Sequence, residues 1–200
     1  MTLLPLVLSA PNWDPSGAPD GRQPPSEGAR GKCRYCGFCA PGWLENDYAD
    51  DAPKAACILC HLCHNLDRPT IEAEATLIWL PEMSQAALIA TVRRLHVICN
   101  DHGAAATMDR VPRAGSAQLS QAWGVYAALL RRAAVAEKRI GSPAIRDLAE
   151  ALAGVTTDSQ VRATLLGGVR LLPRGRFYRD GIDVYPALLS AIPRPCGTVA

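Results

Sequence analysis

The sequence predicts an α+β fold that is mostly α-helical, with a small cysteine-rich module ahead of a helical body. Six of the eight cysteines fall within residues 33–63. Apolar residues recur at helical spacing through much of residues 84–192, whereas segments of strand type are few and short. Apolar residues make up 48% of the chain and charged residues 20%, which is enough apolar material for a globular core.

The first part of the chain predicts an arm followed by a linker. Residues 3–8 are apolar, but the run is too short for a signal segment, lacks basic residues before it and contains Pro5. We therefore expect a short buried strand or a tucked-in arm. Residues 14–32 hold four prolines and four glycines, a composition typical of a loop or linker. The predicted division is an arm and linker at 1–31, the cysteine-rich module at 32–82 and the helical body at 83–200.

The spacing of four cysteines predicts a metal site. Cys33 and Cys36 form one C-x2-C pair, Cys57 and Cys60 form another, and twenty residues separate the pairs. A two-residue gap lets both sulfurs of a pair reach one ion, and two pairs complete a tetrahedron. Such a site is closed, because no coordination position is left for a substrate. We expect one structural Zn²⁺ bound by these four residues.

Other ligand sets and chemistries compete with this interpretation. Cys39 and Cys63 extend each pair, and iron–sulfur proteins use such runs, but the further cysteine of that pattern is replaced by Trp43 and Asp67. A disulfide framework suits small secreted domains rather than a chain of this length. We interpret Cys39 and Cys63 as packing residues near the site.

Two histidines follow the second cysteine pair. His61 and His64 could replace a cysteine as ligands or pack beside the site, and packing is the favoured interpretation.

Strand signals are weak and local. Residues 45–51, between the cysteine pairs, are acidic and predict a solvated loop. Residues 75–80 predict a short strand that ends at Pro81. Residues 169–172 and 176–178 predict two strands on either side of a turn at 173–175, and therefore a small β-hairpin.

Helix signals begin at Ser84, which can N-cap a helix that runs to about residue 99. A second helix is predicted over residues 117–139, with Gly141 as its C-terminal stop. The apolar faces of these two helices are formed by Leu88, Val92, Leu95 and Cys99, and by Leu119, Trp123, Tyr126 and Leu130.

Three more helices are predicted. Ser142 as a cap and Pro143 at the first helical position open one that ends at Gly154, with Ile145, Leu148 and Leu152 on its apolar face. Another begins near residue 157 or 158 and stops at residues 167–168. The last covers residues 185–192.

Sequence signatures of catalysis are missing. Nucleotide-binding, serine-hydrolase and zinc-protease motifs are absent. Modules with two such cysteine pairs often carry an HNH-type nuclease, in which a ββα hairpin presents a histidine base. Here Leu44 and Glu45 are followed by Asn46, Asp47 and Tyr48, so the position of the base holds no histidine. We expect an HNH-like, treble-clef module that is degenerate and a protein that is not an enzyme.

Charge and hydropathy limit the partners. The net charge is only +2, so no strong overall field favours nucleic acid. A local basic cluster at residues 170–179 is interpreted as the solvated edge of the predicted hairpin rather than as a nucleic-acid contact. No apolar run approaches the roughly 18 residues that span a bilayer. Cys99 and Cys196 are isolated in the sequence, and free thiols favour a reducing, cytoplasmic location.

Six segments of the chain, in order, resemble the IcmJ (DotN) family. They are LLPLVL at 3–8, CRYCGF at 33–38, ACILCH at 56–61, LIWLPEMSQ at 77–85, GVRLLP at 168–173 and DGIDVYP at 180–186. The resemblance spans nearly the whole chain, and the WLPE segment is its most specific part. A proline- and glycine-rich stretch before the first cysteine pair and a short segment between the pairs depart from the family pattern.

The resemblance implies a role in secretion. Members of that family belong to type IVB (Dot/Icm) secretion systems and related conjugation machines, and look like HNH-fold zinc proteins that act as adaptors on the coupling-protein ATPase. It implies one structural Zn²⁺ at Cys33, Cys36, Cys57 and Cys60, and a cytoplasmic protein recruited to the inner membrane by its partner. The alternatives are a metal-dependent nuclease of degenerate HNH type and a non-catalytic zinc module that binds nucleic acid.

An adaptor must expose apolar side chains to its partner. Among the aromatic residues outside the cysteine-rich module, we expect Phe177, Tyr178 and Tyr185 to bind the partner, because they flank a turn rich in glycine and arginine that can lie at the surface. Trp79, Trp123 and Tyr126 are weaker candidates, since they lie in a predicted strand or on a helix face.

Overall fold

The computed structural model describes residues 3–10, 31–40, 42–47, 54–108, 116–154 and 166–192. Within these ranges the fold is α+β, with small two-stranded antiparallel sheets among helices, as the sequence predicts. In the described residues, no helix combines the length and apolar character needed to cross a membrane.

A hairpin and a short helix follow the first cysteine pair. Strand β1 (Leu44–Asp47) pairs antiparallel with β2 (Lys54–Cys57), and helix α1 (Ile58–His64) follows at once. The expectation of a solvated loop from residue 45 is wrong for residues 45–47. Asp47 is 2% exposed because His64 offers it a buried hydrogen-bond partner.

A second sheet joins distant parts of the chain. After the short helix α2 (Ile71–Glu74), strand β3 (Ala75–Trp79) confirms the strand predicted at 75–80. Its antiparallel partner is β4 (Val169–Pro173), which confirms the strand predicted at 169–172.

The hairpin predicted around residues 173–175 is wrong. β4 pairs with β3, and a separate hairpin joins β5 (Tyr178–Arg179) to β6 (Ile182–Asp183). The β3–β4 ladder continues past its strands, because the Arg174 amide donates to the Glu74 carbonyl at 2.8 Å. The chain therefore stays beside β3 at the position where a hairpin would have to turn.

Side chains cover the outer edge of β4. Gln85 is 4% exposed, and its side chain bonds to the β4 backbone as a neighbouring strand would. Its Nε2 donates to the Leu171 carbonyl at 2.8 Å, and its Oε1 accepts from the Leu171 amide at 2.9 Å. The carbonyls of Val169 and Pro173, on either side of Leu171, also face away from β3. The Arg170 guanidinium donates to the Val169 carbonyl, and the Tyr126 hydroxyl donates to the Pro173 carbonyl.

The longest helix of the described residues is α3 (Gln85–Asp101). The Ser84 hydroxyl accepts from the Ala87 amide, which confirms the predicted cap. The predicted apolar face is also confirmed, since Leu88, Val92, Leu95 and Cys99 are all buried.

The helix predicted over residues 117–139 is interrupted. It consists of α4 (Ala117–Leu130) and α5 (Ala133–Ile140), with Arg131 and Arg132 between them. The Arg132 carbonyl accepts from the Trp79 amide at 3.2 Å, so the break lets the backbone bond to the free edge of β3. The predicted stop at Gly141 is confirmed, because this residue adopts a φ of 89°. Leu130 is 42% exposed and does not belong to the buried face.

Helix α6 (Ile145–Gly154) begins later than the sequence predicts. The Ser142 hydroxyl accepts from the Ala144 amide, so Ser142 closes a turn before the helix, and Pro143 precedes the first helical position. The helix predicted from residue 157 or 158 falls largely on residues 155–165, outside the described part of the chain. The last helix, α7 (Tyr185–Ser190), confirms the one predicted there.

One core joins the arm, the cysteine-rich module and the body. The N-terminal arm is tucked in as predicted: the Leu4 amide donates to the Arg34 carbonyl and the Ser9 amide to the Cys63 carbonyl. The linker predicted at 14–32 lies largely outside the described residues. The shared core includes Leu8 from the arm and buried residues of the module and the body, among them Trp43, Cys60, Ile89, Leu148, Leu171 and Tyr185.

Candidate metal centre

The first half of the centre is a tight turn. The Cys33 amide donates to the Phe38 carbonyl at 2.8 Å, and the Gly37 amide donates back to the Cys33 carbonyl at 3.0 Å. Gly37 adopts a φ of 71°, a conformation that glycine allows at little cost. This turn directs the sulfurs of Cys33 and Cys36 to one side.

The second half of the centre is the junction of β2 and α1. Cys57 ends the strand and is the N-cap residue of the helix, and Cys60 lies in the first helical turn. The Ile58 amide donates to the Trp43 carbonyl at 2.8 Å, which fixes the start of the helix against the chain leading into β1.

The two halves bring the four predicted cysteines together. Their four sulfur atoms lie within 4.8 Å of one another, and among the described residues these are the side chains grouped closely enough to share a metal ion. The Cys36 and Cys57 sulfurs are 3.6 Å apart. Four sulfurs bound at about 2.3 Å from a tetrahedral ion would stand about 3.8 Å apart. The cluster could therefore hold one metal ion.

The acid–base properties of the four thiols also suit a cation. Hydrogen bonds from Cys33, Cys57 and Cys60, together with the positive charge of Arg93, lower the pKa of Cys36 well below its usual range. Hydrogen bonds to Cys33 and Cys36, followed by burial, raise the pKa of Cys57 and of Cys60. The four groups share protons and titrate as one unit. A bound cation would replace those protons, because metal ligation requires the thiolate form.

A positive side chain from the helical body reaches this cluster. Arg93 of α3 lies with its Nη1 atom 3.6 Å from the Cys36 sulfur and 3.9 Å from the Cys57 sulfur. Its guanidinium carbon is 3.8 Å from the centre of the Phe38 ring, so the group stacks on an aromatic residue of the first turn. No local sequence signal identifies Arg93, since it is separated from the cysteines by more than thirty residues.

The competing ligands lie outside the cluster. Cys39 is exposed, and the buried Cys63 directs its thiol to the Leu59 carbonyl at 3.5 Å. The Nδ1 atom of His61 is 3.2 Å from the Asn65 side-chain nitrogen. His64 is paired with Asp47. Cys63, His61 and His64 thus have packing roles beside the site. The interpretation of Cys39 as a packing residue is wrong, because its side chain is exposed.

The pair formed by Asp47 and His64 lies between the hairpin and α1. The two residues are 2% and 3% exposed, and the ring of Tyr35 meets the His64 ring edge-on at 4.6 Å. Burial alone would raise the pKa of Asp47, but the hydrogen bonds from His64 and Tyr35 outweigh it and hold that pKa below its usual value. Asp47 is therefore ionised, and His64 donates to it.

The expected partner-binding aromatic residues are not a surface patch. Phe177 is 1% exposed and Tyr185 is 0% exposed, so the expectation that they lie at the surface is wrong. Phe177 is covered by the Arg68 guanidinium, whose carbon is 4.6 Å from the ring centre. The Tyr185 hydroxyl is 2.8 Å from the Nδ1 atom of His96. Tyr178 is half-buried and keeps an accessible side chain.

The basic residues near β4 make contacts within the protein. The Arg170 guanidinium donates to the carbonyls of Met83 and Val169, and Arg179 donates to the Glu45 carboxylate. These contacts assign the two arginines to packing between elements. The interpretation of the basic cluster as the solvated edge of a hairpin is therefore wrong for them, because β4 pairs with β3 and both guanidinium groups are bonded within the protein.

Comparison with protein-family models finds no match to this chain, and comparison with curated proteins finds no significant similarity.

Proposed function

We propose that the four cysteines hold one structural Zn²⁺ in an HNH-like, treble-clef module. Four thiolates in a tetrahedral arrangement are the ligand set that zinc takes in closed structural sites. The order of elements supports this proposal, since a cysteine turn, the β1–β2 hairpin and helix α1 follow one another, and the second cysteine pair lies at the start of the helix. When bound, the ion supplies crosslinking energy to the fold rather than a reaction.

The module is proposed to be non-catalytic. The observation that carries this proposal is Asp47, which stands at the end of β1 where an HNH nuclease presents its base. The carboxylate is buried and already accepts a hydrogen bond from His64. A general base must reach the water or hydroxyl that it activates, and neither member of this pair is exposed enough to do so.

We further propose that the protein is an adaptor subunit of a type IVB secretion or conjugal transfer complex, bound to the coupling-protein ATPase. The ordered resemblance to the IcmJ (DotN) family supports this role. Exposed apolar side chains would give such an adaptor a surface to which its partner can bind. Those most exposed in the described residues are Leu3, Val7, Val125, Leu130, Val135 and Ile182. Such a protein would work in the cytoplasm and reach the inner membrane through its partner.

The test is recovery of the partner from the native cell. The tagged protein is captured from that cell, and the associated proteins are identified by mass spectrometry. The proposal expects a type IV coupling ATPase in near-stoichiometric amount. Two variants locate the surface: Leu3→Ser with Val7→Ser changes the arm, and Val125→Ser with Val135→Ser changes α4 and α5. Each serves as the matched control for the other, and the one that abolishes capture marks the binding face.

Two outcomes would replace this proposal. Capture of nucleic acid without an ATPase would favour the nucleic-acid-binding alternative. Cleavage of plasmid DNA by the purified protein with Mg²⁺ or Mn²⁺, abolished in a His64→Ala variant that is still folded, would favour the nuclease alternative. A folded protein that captures no ATPase and cuts no DNA would contradict both the adaptor and the nuclease.

A further inference from the structure

Arg93 connects the metal centre to a part of the chain that supplies none of its ligands. The residue belongs to α3 in the helical body, yet its guanidinium lies within 4 Å of two cluster sulfurs. The same group stacks on Phe38 at 3.8 Å. The contact therefore involves both halves of the centre, since Cys36 belongs to the first cysteine pair and Cys57 to the second.

Charge gives this contact a consequence. Four thiolates and one divalent cation carry two net negative charges, and Cys33, Cys57 and Cys60 are each 0% exposed. A buried charge is costly unless another group compensates it. Arg93 places one permanent positive charge at hydrogen-bond distance from the sulfurs. Arginine suits this task, because it stays ionised and can stack on an aromatic ring while it donates.

We propose that Arg93 is the charge-compensating residue of the metal centre, so that metal retention and the docking of α3 stabilise each other. This proposal rests on the proposed metal site. A contact that strengthens when the ion is bound must strengthen ion binding by the same free energy when α3 is docked. Arg93 is a positioning residue, since it acts on the ion through the sulfurs and does not bind it.

A purely structural role would look different. If Arg93 only packs on Phe38, an apolar side chain of similar length would leave the sulfurs unchanged. The informative variants are Arg93→Met, which removes the charge, and Arg93→Lys, which keeps it. Arg94→Met is the matched control, because Arg94 is the next residue of the same helix and is exposed. Phe38→Leu removes the stacking ring and keeps the charge.

The first readout is the spectrum of the Co²⁺-loaded protein. A positive charge beside the sulfurs lowers the energy of their lone pairs, so the sulfur-to-cobalt charge-transfer band lies at shorter wavelength. Arg93→Met is expected to move this band to longer wavelength. Arg93→Lys should restore most of the shift, and Arg94→Met and Phe38→Leu should leave the band in place.

The second readout is the rate of Zn²⁺ release to a chelator. Residues that bond to metal ligands typically change affinity by about 10-fold to 100-fold, so Arg93→Met should release the metal about 10-fold faster. The reciprocal measurement is hydrogen exchange. Removal of the metal should lower protection in α3 of the native protein, and it should do so less in Arg93→Met.

The outcomes distinguish a failure of the role proposed for Arg93 from a failure of the proposed metal site. An unchanged cobalt band and release rate in folded Arg93→Met would overturn the role of Arg93 and leave the metal site intact. A native protein that binds neither Co²⁺ nor Zn²⁺ would overturn the site itself. If Arg93→Met fails to fold, Arg93→Lys decides: a band displaced to longer wavelength although the positive charge is kept would contradict charge compensation, and a band at the native wavelength would support it.

Discussion

Asp47 and His64 form a buried, hydrogen-bonded pair that ties the end of β1 to the last turn of α1. The partners are 17 residues apart in the sequence, so the pair fastens the hairpin to the helix through a contact that involves none of the four cysteines. It also occupies both side chains, which supports the proposal that the module is structural.

Removal of the Asp47 carboxylate should destabilise the protein. Asp47→Ala leaves the His64 donor buried without an acceptor. A buried donor left without a partner costs about 1–3 kcal/mol. Asp47→Asn should cost less, because the amide oxygen can still accept. Denaturant unfolding measures both, with Glu137→Ala at an exposed position as the control. A loss below about 1 kcal/mol in Asp47→Ala would contradict the pair's role.

Metal content should follow the four-cysteine assignment. The purified protein is expected to hold one zinc per chain in reducing buffer, measured by elemental analysis. Cys57→Ser should lose the metal, because it removes a ligand at the junction of β2 and α1. Cys63→Ala is the matched control, since this cysteine is also buried but its thiol faces the Leu59 carbonyl. Retention in Cys57→Ser together with loss in Cys63→Ala would show that the assignment is wrong.

Stability should fall in mild acid because of His96. Burial lowers the pKa of His96 to about 3, against about 6.5 in the unfolded chain. Below pH 6.5 the unfolded state binds a proton that the folded state does not, so stability present at pH 7 declines as the pH falls towards 3. The decline attributable to His96 is about 2 kcal/mol at pH 5.

The variant His96→Gln isolates this effect. Unfolding free energies of the native protein and the variant are measured at pH 7, 6 and 5, so that any loss of metal affects both alike. The difference between the two should shrink by about 2 kcal/mol from pH 7 to pH 5. Parallel pH dependence would mean that His96 is protonated in the folded state.

Alanine substitutions at Gly103 and Gly175 distinguish the energetic cost of a positive φ from the cost of a steric clash. Gly175 and Gly103 adopt φ angles of 69° and 67°, but a Cβ on Gly175 would lie 2.3 Å from the Ala106 carbonyl oxygen, whereas a Cβ on Gly103 would meet nothing within 4 Å. Gly103→Ala should cost about 1 kcal/mol from its φ alone. Gly175→Ala should cost about 2 kcal/mol more, because backbone must move. Equal losses by thermal unfolding would refute the close contact.

Alanine substitutions at two neighbouring aromatic residues should differ in their effect on stability. Phe177→Ala removes a side chain that is 1% exposed and should cost about 3–5 kcal/mol of stability. Tyr178→Ala should cost about 1 kcal/mol or less, because the bond from Tyr178 to Glu74 is made by its backbone amide. Partner binding can therefore be tested at Tyr178 alone, since loss of binding in Phe177→Ala would report unfolding. Similar stability of the two variants would contradict the burial of Phe177.

The sequence predicts correctly those features that are decided by residues close together in the chain. The Ser84 cap and the stop at Gly141 each depend on residues a few positions apart, and the structure reproduces them. The four cysteines also come together as predicted, because the two-residue spacing within each pair is typical of a shared metal site. The exceptions depend on distant partners. Asp47 looks like a loop residue until His64 is placed beside it, and the Arg93 contact requires the docking of α3.

Strand pairing was the least predictable feature for the same reason. β4 lies close in sequence to the segment that forms β5, and a local hairpin was the natural expectation. The partner that it takes, β3, precedes it by about ninety residues and carries an equally apolar face. The break between α4 and α5 follows from that sheet, because the Arg132 carbonyl replaces a strand at the free edge of β3.

The side chains along β4 decide how other molecules can meet this protein. An exposed strand edge invites strand addition, whether by a partner peptide or by another copy during aggregation. Here an incoming strand would have to displace Gln85 from both polar groups of Leu171 and the hydroxyl of Tyr126 from Pro173. Pro173 itself has no amide to offer. This edge is thereby closed to templated growth, and recognition at it would require part of the fold to open.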